Sequence, residues 1–144
     1  MEVKRITTLE ELESAFQIRT EVFVHEQGTP IVDEFDEFDT LDGRCEHILV
    51  YDKGHAVGSG RIRVVDGVGK LERIVILKPY RKYGLGRKII KTLENMALEK
   101  GLKKVKLHGQ KQAEGFYHKL GYETASDVFM EDGIEHLLMT KVLT

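Results

Sequence analysis

The segment Lys70-Leu71-Glu72-Arg73-Ile74-Val75-Ile76-Leu77 and the loop Arg81-Lys82-Tyr83-Gly84-Leu85-Gly86, which soon follows it, decide the fold. The first segment is rich in β-branched residues and predicts a strand, which Pro79 ends. After Gly86, apolar residues recur at helical spacing until Gly101. The sequence therefore predicts a strand that runs through a tight, glycine-containing loop into a helix.

In such a connection, the N–H groups of the loop and of the helix N-terminus converge and can bind an anion such as a pyrophosphate. The glycines let the backbone approach a phosphate closely, and Arg81, Lys82 and Arg87 add positive charge. The loop lacks the Gly-Lys-Ser/Thr of a nucleotide P-loop and the three-glycine dinucleotide fingerprint, so ATP and NAD fit it less well. Taken alone, the loop is equally consistent with an ordinary glycine-rich connection.

The composition predicts one domain over residues 1–144, because this length suffices for one substantial core. The 22 basic and 24 acidic residues give a formal net charge of -2, which offers no overall attraction to nucleic acid or an anionic membrane. The single Cys45 cannot form an intramolecular disulfide, and the N-terminal residues do not resemble a signal peptide. No apolar run approaches the roughly 20 residues of a membrane span. We therefore expect a cytoplasmic protein with no nucleic-acid or membrane partner.

The rest of the chain predicts a mixture of helices and strands. A strand over Glu2–Ile6 precedes a helix that begins at the capping box Thr8-Leu9-Glu10-Glu11 and continues to about Val24. Residues Gln27–Arg44 then form a long acidic loop, with or without a short helix. Further strands are expected at His47–Tyr51, His55–Val65, Lys70–Leu77 and Val105–His108, a short helix at Gln112–Leu120, and a hairpin of Tyr122–Met130 with His136–Val142.

A second motif is Ala113-Glu114-Gly115-Phe116-Tyr117-His118-Lys119-Leu120-Gly121-Tyr122, a short helix that Gly121 ends. Together with the Arg81–Gly86 loop, it resembles the GNAT superfamily of acyl-CoA-dependent N-acetyltransferases. In that superfamily an R/Q-x-x-G-x-G/A loop binds the CoA pyrophosphate, and a later F-Y-x-x-x-G-[FY] helix lies beside the thioester. Both motifs occur here in that order, and the predicted elements match along nearly the whole chain.

Three further segments resemble the bacterial subgroup typified by YjcF and ElaA. They are Ile18-Arg19-x-x-Val22-Phe23-Val24-x-Glu26-Gln27, Leu71-Glu72-Arg73-Ile74 and Leu107-His108-Gly109-Gln110. The subgroup commonly has Ala where Gly109 stands. The resemblance implies an α/β (α+β) GNAT fold: a central, mostly antiparallel sheet, splayed near Lys70–Leu77 and Val105–His108, with helices on both faces.

The resemblance also implies where acetyl-CoA binds as co-substrate. The main chain of Ile74, Val75 and Ile76 is expected beside the pantetheine arm, with the Val75 or Ile76 N–H directed at the thioester oxygen. The remaining contacts are expected from Arg81, Lys82, Tyr83, Gly84, Leu85, Gly86, Arg87, Gln110, Ala113, Phe116 and Tyr117. Tyr117 is the candidate general acid for the departing thiolate, and a core tyrosine is the alternative.

Two residues are candidates for the base that removes the amine proton. Glu72 is one, acting directly or through water, and pairing with Arg61, Arg63 or Arg73 is an alternative of equal weight. His108 is the other, because an imidazole titrates near neutrality. A hydrogen-bonded structural histidine is its alternative.

The resemblance places the start of the acceptor pocket at Arg19, Glu26 and Gln27, at the end of the first helix. Helix capping, or pairing with the following loop, is the alternative. The acidic residues from Asp33 to Asp42 predict a solvated loop, with attraction of a cationic amine as the weaker hypothesis. The histidines show no metal-binding spacing, so no metal is predicted.

We therefore predict an N-acetyltransferase that moves an acetyl group from acetyl-CoA to a primary amine by direct attack in a ternary complex, since Cys45 lies outside both motifs. One alternative is a non-catalytic acyl-CoA-binding sensor or regulatory domain, and another is a loop that binds a different phosphorylated ligand. The sequence leaves open the acceptor, small molecule or peptide, the preferred acyl chain and the oligomeric state, a homodimer included.

Overall fold

The structure, a computed structural model, describes residues 1–143. Its strands are β1 (Glu2–Arg5), β2 (Glu46–Asp52), β3 (His55–Val65), β4 (Val68–Ile76), β5 (Lys104–Gln110), β6 (Glu123–Thr124), β7 (Phe129–Glu131) and β8 (Ile134–Val142). Its α-helices are α1 (Leu9–Arg19), α2 (Ile31–Glu34), α3 (Leu85–Glu99) and α4 (Glu114–Lys119). A π-helical segment, Thr20–Glu26, continues α1, and short 3₁₀ turns occupy Lys78–Tyr80 and Lys111–Ala113.

All eight strands belong to one sheet, in the order β1-β2-β3-β4-β5-β8-β6, with β7 also paired to β8. Every pairing is antiparallel except that of β4 with β5. The parallel pairing is short, because only Gly69–Leu71 of β4 faces Val105–Leu107 of β5. Beyond that point the two strands separate, and the predicted splay of a mostly antiparallel sheet is confirmed.

Helices cover both faces of the sheet, as predicted. On one face, α3 buries Ile89, Ile90 and Leu93 in the larger core cluster, and on the other α1 buries Ala15 and Ile18 in a second cluster. Each fully buried isoleucine or leucine side chain contributes about 1.5 to 3 kcal/mol to the unfolding free energy.

Close approach of α3 to the sheet depends on a glycine. A Cβ at Gly60 of β3 would lie 2.8 Å from the Ile89 Cγ2 atom of α3. The absence of a side chain at this position therefore sets how near the helix that follows the loop can come to β3 and β4.

The first helix begins as predicted but ends differently. The Thr8 hydroxyl accepts a hydrogen bond from the Glu11 N–H, and the Glu11 carboxylate accepts one from the Thr8 N–H, which confirms the capping box. The α-helix stops at Arg19, and the chain widens into the π-helical segment as far as Glu26. Wide turns of this kind are frequent at functional sites.

The predicted strand Tyr122–Met130 is interrupted. Only Glu123–Thr124 and Phe129–Glu131 pair with β8 as strands. Between them the Ala125 N–H still donates to the Leu138 carbonyl oxygen at 2.8 Å before the chain leaves the sheet. The Ser126 hydroxyl accepts a hydrogen bond from the Leu138 N–H at 2.9 Å. A side chain thus replaces the backbone acceptor that a continuous strand would have offered.

None of the helices within residues 1–143 is long and apolar enough to cross a membrane. The same part of the chain contains no group of three or more His, Cys, Asp or Glu residues arranged to hold a metal ion.

Candidate active site

A cleft of about 350 Å³ lies where β4 and β5 separate. Its wall on the β4 side includes Glu72, Arg73, Ile74, Val75 and Ile76, and its opposite wall includes Leu107, His108, Gln110, Ala113 and Tyr117. The π-helical segment, through Val22 and Phe23, and the hairpin of β7 and β8 also contribute to the lining. The parallel strands thus pair at one end and open into a site at the other.

A β-bulge shapes the β4 wall. Ser59 of β3 pairs with Val75 and Arg61 pairs with Glu72, so Arg73 and Ile74 oppose the single residue between them on β3. Arg73 has a φ of 53°, a left-handed conformation that is strained for a residue with a long side chain. Its guanidinium is anchored to Glu34, with Nε 3.1 Å from a carboxylate oxygen. The bulge turns the last residues of β4 along the cleft.

The predicted anion-binding loop is formed as a strand-to-helix connection. Gly84 has a φ of 70° and caps α3, and no side chain occupies the cap position. The first N–H groups of α3 are therefore without a side-chain cap, which leaves them available to a ligand. Lys82, Tyr83 and Arg87 are exposed around the loop, whereas the Leu85 side chain is buried in the core, so only its main chain can contact a ligand there.

Arg81 has a second connection that sequence reasoning did not anticipate. Its two terminal nitrogens bind the Glu26 carboxylate at 2.6 and 2.9 Å, and its Nε donates to the Ile76 carbonyl oxygen at 3.0 Å. The Arg81 hydrogen bond lowers the pKa of Glu26. Through its bonds to Ile76 and Glu26, Arg81 connects the loop to the end of β4 and to the π-helical segment.

Tyr117 lies in the cleft with its ring packed against β5. A Cβ at Gly109 would be 2.8 Å from the ring, so a glycine there admits the tyrosine at close range. Phe116 meets Tyr117 edge to face, with centroids 5.2 Å apart. Among residues 1–143 the Tyr117 hydroxyl has no hydrogen-bond partner, whereas the core tyrosine Tyr122 donates to Glu94 at 2.7 Å. Burial raises the pKa of Tyr117 to about 12, so the hydroxyl is protonated at neutral pH.

Glu72 is surrounded by cations. One oxygen accepts from Arg63 Nε at 2.9 Å and Arg61 Nε at 3.2 Å, and the other lies 2.9 Å from Lys70 Nζ. Burial acts to raise the pKa of this carboxyl, but hydrogen bonds from Arg63 and Lys70 and the charge of Arg61 lower it to about 2. A carboxylate so strongly stabilised in its charged form is a poor proton acceptor. The structure thus argues against Glu72 as the base and supports its alternative, an ion-pair partner within the sheet.

His108 is placed differently, on the opposite wall of the cleft. Its Nδ1 atom lies 2.9 Å from a carboxylate oxygen of Glu131, and Phe129 contacts the ring edge to face at 5.0 Å. About a third of its side chain is exposed. This geometry leaves one ring nitrogen bonded and the other facing no protein partner within the described residues.

The chain matches the family described as "Acetyltransferase (GNAT) domain" over residues 5–143. It belongs to the GNAT acetyltransferase family. This confirms the enzyme class predicted from the sequence, an N-acetyltransferase.

Individual relatives agree with this family. A Bacillus subtilis (strain 168) protein described as a candidate acetyltransferase is 60% identical, over 98% of this chain and 96% of its own. YjcF of the same organism, named an uncharacterised N-acetyltransferase, is 47% identical over 92% of this chain and 93% of its own. The crystal structure of Escherichia coli ElaA superposes with a TM-score of 0.85 at 28% identity, covering 97% of this chain and 98% of ElaA. The predicted resemblance to YjcF and ElaA is confirmed.

A more distant likeness concerns the fold alone. An aminoglycoside 6'-N-acetyltransferase, solved in complex with coenzyme A, superposes with a TM-score of 0.79 at 15% identity, covering 99% of this chain and 97% of that one. The sheet with its splay is therefore the GNAT fold, as the sequence predicted.

The three residues predicted to begin the acceptor pocket occupy different places in this GNAT fold. Gln27 lines the cleft, with its side-chain oxygen 3.4 Å from the Gln110 amide nitrogen of the facing wall. Glu26 faces the loop and binds Arg81. Arg19 is only 1% exposed, and its guanidinium binds Glu34 and Asp39 behind the cleft. The placement of Arg19 corrects the expectation that it contacts the acceptor.

The acidic loop agrees with expectation only in part. Asp33, Glu37 and Asp42 are exposed, as a solvated loop would have them. Glu34, in contrast, is buried and bound by Arg19 and Arg73, and Asp36 is paired with Arg61 at 2.6 Å. These two pairs fix α2 and the following residues to the sheet, and the charge of the paired carboxylates is balanced locally.

Two titratable residues of the cleft, Glu131 and His136, were not among the predicted site residues. Glu131 lies between the two strands of the predicted hairpin and His136 begins the second strand, and both line the cleft near His108. The signal that could have located these two residues is the register of the hairpin. His136 of β8 pairs with Gln110 of β5 on one side and with Phe129 of β7 on the other. That register brings β7 beside the end of β5.

Proposed function

We propose that this chain, as a single domain, transfers an acetyl group from acetyl-CoA to a primary amine by direct attack in a ternary complex. The observation that carries the proposal is the cleft between β4 and β5, which combines an unpaired strand edge on one wall with the free Tyr117 hydroxyl on the other. An acyl donor and an amine can meet only if both reach the same opening. The splay provides that opening.

The pantetheine arm is proposed to extend along Ile74, Val75 and Ile76. These residues follow the last β4–β5 pair, so their edge of the strand lacks a partner strand and can pair with the amides of pantetheine. A main-chain N–H at Val75 or Ile76 would then polarise the thioester carbonyl as negative charge develops on its oxygen.

The pyrophosphate is proposed to bind at the start of α3. Gly84 and Gly86 leave the main chain accessible, and the N-terminus of a 15-residue helix favours an anion. The Gly86 position lies 3.4 Å from Phe116 when a Cβ is added, so the loop and α4 adjoin each other. A CoA bound here would reach from the loop towards the Tyr117 ring, and an aminoglycoside acetyltransferase that shares this fold was solved in complex with coenzyme A.

Tyr117 is proposed as the general acid. Its hydroxyl is protonated and has no protein partner among residues 1–143, and the residue lines the cleft. When the tetrahedral intermediate collapses, the C–S bond breaks and the sulfur takes the phenol proton, while the phenol recovers a proton from the newly bonded nitrogen. His108 is proposed as the base that first removes a proton from the acceptor ammonium.

Direct attack is preferred over an acyl-enzyme because no cysteine or serine of residues 1–143 lines the cleft. Cys45 is buried outside it, and burial raises the pKa of its thiol to about 12. A thiol in this state is a weak nucleophile. Initial-rate patterns should therefore be those of a sequential reaction and not of a ping-pong reaction.

The decisive experiment measures thiol release from acetyl-CoA in the presence of polyamines, amino acids, aminoglycosides, amino sugars and peptides, with the acetylated product identified by mass spectrometry. The expected result is amine-dependent thiol release that Tyr117→Phe greatly reduces. Binding of acetyl-CoA with no acetylated product from any amine would refute the proposal and favour the sensor alternative.

A further inference from the structure

An acid–histidine pair lines the cleft on the side of β5 and the β7–β8 hairpin. His108 comes from β5, and Glu131 comes from the end of β7, next to the hairpin turn. Their Nδ1 and Oε1 atoms are 2.9 Å apart, and both residues line the cleft. The two residues are 23 positions apart in sequence, so only the pairing of β5, β8 and β7 brings them together.

The direction of this hydrogen bond follows from the charge of Glu131. The hydrogen bond from His108 is the main cause that lowers the pKa of Glu131, so Glu131 is a carboxylate near neutral pH. A carboxylate only accepts hydrogen bonds, so the proton of the pair is carried by Nδ1. In a neutral His108 ring the lone pair then sits on Nε2, which has no hydrogen-bond partner within residues 1–143.

Neighbouring rings hold the pair in place. Phe129 contacts the His108 ring edge to face at 5.0 Å and stacks with His136 at 6.1 Å. His136 donates from Nδ1 to the Ile134 carbonyl at 2.7 Å, and its Nε2 atom lies 3.7 Å from the second oxygen of Glu131, beyond hydrogen-bonding distance. Within residues 1–143 the Glu131 carboxylate therefore forms a hydrogen bond with His108 alone, and the hairpin fixes its position.

We propose that Glu131 is a positioning residue for acetyl transfer, which holds His108 in the tautomer whose Nε2 atom accepts a proton from the acceptor ammonium. In this step the ammonium N–H bond breaks, the proton binds Nε2, and the neutral amine can attack the thioester carbon. The ring then carries a proton on each nitrogen, and the Glu131 carboxylate stabilises that positive charge. The Nε2 proton later passes to solvent. This proposal rests on the proposed function.

Contrast with Glu72 supports the assignment. Both acids line the cleft, but Glu72 is bound by Arg61, Arg63 and Lys70, whereas the Glu131 carboxylate has no arginine or lysine within ion-pair distance among the described residues. A carboxylate already neutralised by three cations cannot stabilise a further charge effectively. Glu131 keeps its charge available for the imidazolium.

The test compares Glu131→Gln with Glu135→Gln, a matched loss of one carboxylate from the exposed part of the same hairpin. With acetyl-CoA and the amine of the panel that gives the fastest thiol release, we expect Glu131→Gln to lower kcat about 10- to 100-fold. The KM for acetyl-CoA should stay within about twofold, and Glu135→Gln should match the wild type. Combined with His108→Ala, Glu131→Gln should cause no additional loss, since it acts through His108.

A measurement on the free protein separates positioning from folding. Nitrogen-15 NMR of the histidine rings should show His108 protonated at Nδ1 in the wild type, and Glu131→Gln should change that signature while the backbone spectrum is preserved. Wild-type kcat in Glu131→Gln, additive losses in the double variant, or an unprotonated Nδ1 in the wild type would each overturn this proposal and leave the proposed function standing. A wild type that acetylates no amine would overturn both.

Discussion

Replacing Gly86 by alanine should separate CoA binding from stability, because the two are expected to change in opposite directions. A Cβ at this position would lie 3.4 Å from Phe116 Cζ and 3.6 Å from Ile76 Cδ1, which are ordinary contacts. The fold therefore accommodates the methyl group. Gly86 is the second residue of α3 and lacks a positive φ, so alanine should raise the unfolding free energy by up to about 1 kcal/mol through its greater helix propensity.

CoA binding should respond with the opposite sign. The added methyl group would hold the pyrophosphate away from the first N–H groups of α3, and the loss of one hydrogen bond to a charged group costs about 1.5 to 3 kcal/mol. The dissociation constant for CoA should therefore rise about 10- to 150-fold.

The assay is calorimetric titration with CoA, paired with thermal unfolding of each variant. Gly115→Ala is a matched control, because Gly115 also lies in a helix, has an ordinary φ and has open space around its Cβ position. Acetyl-pantetheine, which lacks the pyrophosphate, should be used by Gly86→Ala as well as by the wild type. A CoA affinity within threefold of wild type in folded Gly86→Ala would refute the assignment of the phosphate site.

Three further outcomes are expected. Tyr117→Phe should lower kcat about 100- to 10,000-fold with little change in acetyl-CoA affinity, and a kcat within threefold of wild type, with chemistry limiting, would remove Tyr117 as the acid. Gly109→Ala should displace the Tyr117 ring, since its Cβ would lie 2.8 Å from it, and lower kcat about 10-fold without loss of folding, as rate and circular dichroism measurements would show. Glu72 should matter for stability and not for chemistry. Its pKa of about 2 in the folded protein lies below the ordinary 4.5, so the unfolded state binds the proton first as the pH falls. About 3 kcal/mol of the unfolding free energy should therefore be lost between about pH 4.5 and pH 2. Urea unfolding across that range should show a smaller loss in Glu72→Gln, and retention of the full loss would contradict the reasoning.

The parts of the fold that could be predicted depend on local signals. The capping box at Thr8 and the apolar spacing of α3 each act over a few residues, and the structure has both. The β4–loop–α3 connection could be read for the same reason, since a strand, a glycine loop and a helix follow one another directly. Which of these elements lie next to one another in the fold was predicted only from the resemblance of two motifs to a known family.

The features that escaped prediction depend on partners far apart in sequence. The bulge at Arg73 is stabilised by Glu34, 39 positions away, and Arg61 binds Asp36, 25 positions away. The broken strand before β7 depends on a hydrogen bond between Ser126 and Leu138. Side chains of these types are mostly exposed in proteins, so their roles here follow from tertiary position and not from their neighbours in the chain.

The acids of the cleft show why residue type alone could not assign the base. Glu72 lies on β4, the strand that leads into the Arg81–Gly86 loop, and was therefore a candidate base. However, Arg61 and Arg63 of the adjacent strand β3 donate hydrogen bonds to its carboxylate. Glu131 lies in a hairpin that carries no motif, yet it meets His108. A carboxylate balanced by cations stabilises the fold, and one paired with a histidine can stabilise a charge that appears during the reaction. The register of the strands, more than the identity of the acids, therefore separates the glutamate that pairs with cations from the one that pairs with a histidine.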